Sequence, residues 1–164
     1  MRSKPEDQIR EKQVLLKMLD EAYSKKAWHG PNFKGSIRGL GAQLAQMRPG
    51  PGRHNIWEIV AHVGYWKYAV RRRLLGEKRG SFPLKGSNWF PCPGELTERS
   101  WNETVNLLDE QHRLLRDAVA RMGRKMIWAV PTGSKVSTLT LISGIASHDL
   151  YHAGQIQLIK RLIC

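Results

Sequence analysis

Apolar residues along this chain recur at steps of three and four rather than two, and no long stretch shows the β-branched alternation of a half-buried strand. The spacing predicts four long helices. The first runs from about Pro5 to Lys25, with Pro5 suited to a first-turn position and Ile9, Leu16, Leu19 and Tyr23 along one face. After the break at Trp28-His-Gly-Pro-Asn, a weaker helical segment spans Ile37 to Met47 and is stopped by Arg48-Pro-Gly-Pro-Gly. The second long helix opens near His54-Asn55, with Asn55 as N-cap and Glu58 three residues on, and ends at Leu75 before Gly76. Residues 76–98 have no helical period and are rich in Gly, Pro, Ser and aromatics. A connection this long inside a small domain is often a lid or binding loop. The third helix begins at a Thr97 or Ser100 cap, and the fourth at Ser137 or Thr138. The fold expected is all-α, one domain over residues 1–164: a four-helix bundle with a short extra helix and a long loop between its second and third long helices.

The inward stripes carry polar residues where apolar ones are expected. Ile59, His62, Trp66 and Ala69 share one face of the second helix. Trp101, Val105, Leu108, His112, Leu115, Val119 and Met122 do so on the third, and Leu141, Ile145, His148, His152, Gln155 and Ile159 on the fourth. His148 and His152 stand one turn apart on one side of a helix, a spacing that lets two imidazoles chelate one ion. His62, at mid-stripe on another helix, can meet them across the core and complete a three-imidazole donor set for Zn, Ni, Cu or Fe(II). Three protein ligands leave a coordination position open, which distinguishes catalytic from structural sites. No catalytic side chain is assigned.

Other residues have competing readings. Gln155 either hydrogen-bonds a ligand or packs as a core amide, and Glu58 either supports the site or serves as a helix-opening carboxylate. Trp89 and Phe90 either cover the open face of the site or anchor the loop. His112 is a possible fourth ligand or a buried core histidine. Asp149, about 100° round from His148, reads as a helix-packing polar residue. His29 and His54 sit beside helix breaks, where turn and cap roles are ordinary.

Composition narrows the classes. No apolar run approaches the roughly 20 residues of a membrane span, and the N-terminus lacks the pattern of an export signal. Cys92 and Cys164 are the two cysteines, without CxxC spacing, so neither is read as a metal ligand and a reducing cytoplasm is expected. The 27 Lys and Arg against 14 Asp and Glu give a net charge of +13, which favours anionic partners. Its densest stretch, Lys67, Arg71, Arg72, Arg73, Lys78 and Arg79, reads as a solvated helix face and loop. A nucleic-acid-binding module is the alternative.

The segment His54-Asn-Ile-Trp-Glu-Ile-Val-Ala-His-Val-Gly-Tyr-Trp, followed far downstream by His148-Asp-Leu-Tyr-His-Ala-Gly-Gln-Ile, resembles the DinB-like, YfiT-related superfamily over about residues 11–161. The resemblance implies an up-down-down-up bundle with one divalent metal ion, often nickel or zinc, on His62, His148 and His152. It also implies frequent homodimers. Assigned members include hydrolase-like proteins and S-transferases that join low-molecular-weight thiols to small electrophiles.

Overall fold

The computed structural model describes residues 5–163, with side chains from residue 10. The Ile9 side chain and Cys164 lie outside the described residues. All regular structure among the described residues is helical: α1 (Pro5–Tyr23), α2 (Phe33–Ser36), α3 (Ala42–Ala45), α4 (Ile56–Leu75), α5 (Glu98–Arg121), α6 (Arg124–Trp128) and α7 (Thr138–Ile163).

The four long helices pack in the cyclic order α1, α5, α4, α7, each touching the two beside it. Their directions follow from two apolar clusters at opposite ends of the bundle. One joins Tyr23 from the end of α1, Ile56, Ile59 and Val60 from the start of α4, Trp101 and Leu108 from the first half of α5, and Ile156 and Ile159 from the last turns of α7. The other joins Leu74, Val119 and Ile142, from the opposite ends of α4, α5 and α7, to Leu15 and Leu19, two turns and one turn before Tyr23 on α1. Thus α1 and α7 run one way and α4 and α5 the other, the up-down-down-up order. Because α4 and α5 are parallel neighbours, residues 76–97 must travel back along the length of the bundle to connect them. The two helices approach closely at Gly64, where an added Cβ would lie 3.6 Å from the Leu108 backbone.

Capping sets the long elements. The Asn55 side chain accepts from the Glu58 amide at 2.9 Å, and Gly76 closes α4 in the left-handed region at φ 68°. Thr97, rather than Ser100, caps α5, with Ser100 returning the bond as N3 partner in a capping box.

Three short helices replace the one expected. The segment Ile37–Met47 is not a continuous helix: Gly39, at φ 74°, lies in a turn, only α3 within the segment is helical, and the single turn α2 precedes it. The turn α6 follows Gly123 in a stretch read as loop. It buries Ile127 in the apolar cluster at its end of the bundle.

A larger correction concerns Lys67. Read as part of a solvated basic face, it is fully buried: its Nζ lies 2.5 Å from Asp149 Oδ2, and Asp149 is equally buried. Burial pushes the Lys67 pKa down and that of Asp149 up, while their mutual attraction opposes both shifts. The ammonium also sits 4.7 Å from the Tyr23 ring centre, whose other contacts include His112, stacked at 3.7 Å. Tyr23 in turn donates its hydroxyl proton to Asp109. A polar layer therefore crosses the bundle between its two apolar clusters. The neighbouring arginines are partly spent as well, Arg71 pairing with Glu77 at 3.5 Å and Arg73 lying over Trp66.

Candidate metal centre

The apolar stripes that seat α4 against α7 carry three imidazoles to one point. His62 Nε2 lies 3.2 Å from His148 Nε2, and His148 Nε2 lies 3.1 Å from His152 Nε2. Among the described residues, these three form the group of His, Cys, Asp and Glu side chains close enough to share an ion. His112 does not join them. It stacks on Tyr23 in the polar layer, where burial and the Lys67 charge hold its pKa far below the ordinary value.

The outer nitrogens settle which ring atoms face inward. His62 Nδ1 lies 2.8 Å from the Asn88 carbonyl oxygen and His152 Nδ1 lies 2.7 Å from Gln155 Oε1. A carbonyl can only accept, so both Nδ1 atoms carry the proton and both Nε2 atoms present lone pairs. Two imidazole nitrogens each about 2.0–2.1 Å from a common ion at a tetrahedral angle stand roughly 3.3 Å apart, close to the separations found. The donor set fits a divalent transition ion. His148 Nδ1 is buried with no hydrogen-bond partner.

Burial also keeps the rings neutral. Desolvation first, then the neighbouring imidazoles, lower His148 to a pKa of about 3, and desolvation with His62 lowers His152 to about 4. Desolvation pulls His62 down despite its bond to Asn88. A metal arriving at neutral pH meets little competition from protons.

Gln155 orients His152 and donates to the Tyr151 hydroxyl at 3.0 Å, so it touches the site from outside the ligand ring. Trp89 stacks on the His62 ring at 3.8 Å with planes 12° apart, whereas Phe90 is buried away from the site against Tyr65 and Phe82. Of the two readings left open for these loop aromatics, Trp89 takes the place at the site and Phe90 anchors the loop. Glu58 is buried but does not contact the triad; it bonds Arg48 and His54. Burial alone would raise its pKa, yet these two hydrogen bonds bring it below the ordinary carboxylate value. Cys92 lies beside Asn55, apart from the histidines.

Two residues went unrecognised in the sequence. Asn88 uses its carbonyl on His62 and its side-chain oxygen on the Trp66 indole N–H at 2.8 Å, and it is the non-glycine residue with positive φ, 67°, among the described residues. An asparagine in a Gly-Ser-Asn run signals such a backbone. His54, read as a turn or cap residue, stacks on the other face of Trp89 at 3.7 Å. No spacing rule foretells that contact.

A cavity of about 420 Å³ opens onto the triad, walled by Trp66, Trp89 and Tyr151. A second, of about 450 Å³, lies between the crossover loop and α5 and holds no histidine, so the chemistry of the donors singles out the first. No helix is long and apolar enough to cross a membrane among the described residues.

No curated protein and no solved structure matches this chain. The family model of the DinB superfamily matches residues 27–156, a span that holds His62, His148 and His152 and most of the bundle that positions them. The chain belongs to the DinB superfamily.

Proposed function

We propose that His62, His148 and His152 hold one divalent transition-metal ion, nickel or zinc, and that the protein is a metal-dependent enzyme acting on a small electrophile. Transfer of a low-molecular-weight thiol or hydrolysis are the two reactions that suit the site. The carrying observation is the convergence of three Nε2 atoms, two of them held in the metal-ready tautomer, at the floor of an open cavity. A bound ion would supply Lewis-acid polarisation and lower the pKa of a thiol or water reaching it. The protein's own groups do the rest. The Asn88 backbone carbonyl and the Gln155 side chain fix two rings, Trp66 and Tyr151 offer apolar walls to a substrate body, and the +13 charge draws in an anionic cosubstrate. A cytoplasmic homodimer is the setting proposed.

The test is metal analysis of protein purified without a histidine tag, native chain against His148→Ala, followed by turnover of a thiol and ester panel. Near-stoichiometric metal in the native protein, little in the variant, and turnover that vanishes with the metal are expected. Equal metal in both proteins, or activity that survives metal removal, sinks the reading.

A further inference from the structure

The His62 ring is the inner member of a stack of three rings, and the stack is anchored outside the triad. Trp89 lies between His62, at 3.8 Å and 12°, and His54, at 3.7 Å and 4°. His54 Nδ1 is 2.7 Å from Glu58 Oε2, and the other Glu58 oxygen is bonded by Arg48. Glu58 is rooted in the first turn of α4 and nearly buried, so the outer ring of the stack is tied to the helix that also carries His62. The stack clamps a loop residue whose neighbour, Asn88, adopts the left-handed backbone that asparagine accepts more readily than most residues. That neighbour supplies the carbonyl that accepts from His62 Nδ1.

We propose that His54 is a positioning residue and that its stack on Trp89 is a latch: closed, it holds Asn88 against His62 and slows metal exchange at the triad. With the latch open, the loop can carry Trp89 off the ring and the Asn88 carbonyl away from Nδ1. His62 then samples both tautomers, one of which places a proton on the nitrogen that faces the metal position. The metal arm of this idea rests on the proposed metal-holding role; the tautomer arm does not.

The experiment has two readouts on the full chain. In zinc-loaded protein, release to a chelator in excess is followed for native protein, His54→Ala and His54→Phe. The alanine variant is expected to release zinc about tenfold faster, the scale of one lost aromatic stack, and the phenylalanine variant, which keeps a ring but loses Glu58, less than about threefold faster. In metal-free protein, nitrogen NMR of the imidazoles is expected to show His62 as the Nδ1–H tautomer in the native chain and as a mixture in His54→Ala. Thermal unfolding of each variant separates these effects from loss of fold, and Trp89→Leu, which removes the indole between the two imidazoles, replaces His54→Ala if the latter does not fold. Unchanged release together with an unchanged His62 tautomer overturns the latch. A native chain that takes up no zinc overturns the metal-holding role, and the tautomer measurement alone then decides the latch.

Discussion

At the scale of single residues, the site is governed by what sits behind each imidazole rather than by the imidazoles themselves. His152 owes its orientation to Gln155, at 2.7 Å from Nδ1. Replacing Gln155 with leucine keeps the volume but removes the acceptor, and losing such a partner behind a ligand typically costs about 10–100-fold in metal affinity. Competition titration of zinc or nickel against a chelator should show a loss of that size in Gln155→Leu, with the α-helical circular dichroism unchanged. An affinity equal to the native value would mean that Gln155 only packs. His148, with its Nδ1 unbonded, lacks such support, so its position depends on burial and on the other two rings.

At the scale of helices, the polar layer is the lesson. Val60, Val63, Lys67, Val70 and Leu74 alternate steps of three and four along α4 and are all buried, as are Ile142, Ala146, Asp149, Ala153 and Ile156 along α7. Each helix thus has a second apolar stripe with one charge in it. The sequence shows both stripes, yet Lys67 was masked by the basic run that follows it. A lysine and an aspartate at matching depths of two apolar stripes signal a buried pair, and that signal was available. The caps at Asn55 and Thr97, the four long helices and the three converging histidines were legible because each rests on local periodicity or capping chemistry. The roles of Asn88 and His54 were not, because they depend on where a loop without period crosses a helix. The pairing makes a sharp forecast. Lys67→Met leaves a buried carboxylate without its partner and should cost about 3–5 kcal/mol in urea unfolding, whereas the double variant Lys67→Met with Asp149→Leu should regain most of it. A double variant as unstable as the single one would show that the pair is needed for more than charge compensation.

For the whole molecule, the depressed histidines give stability a direction with pH. In the unfolded chain these rings titrate near 6.5, while His148 and His152 in the fold titrate near 3 and 4. Between those limits the unfolded state binds more protons. The contribution of these residues to stability is therefore complete above about pH 6.5 and is lost as pH falls toward 3. The Tm of metal-free protein should decline from pH 7 to pH 4, and His148→Gln should flatten part of that decline. A parallel decline in both proteins would place the acid sensitivity elsewhere.

The parallel run of α4 and α5 has a further consequence, for how this protein could diversify. Twenty residues of helix span roughly 30 Å, a distance that an extended chain covers in about nine residues. The return path across residues 76–97 is thus obligatory in topology but generous in length. Evolution can rewrite the surplus on either side of Asn88 and Trp89, the two loop residues tied to the His62 ring, and because Phe90 to Pro93 border the second cavity, substitutions there reshape that cavity while the contacts behind His62 stay in place. The bundle and the two residues behind His62 hold the triad, and the remainder of the crossover is the part of the chain free to vary.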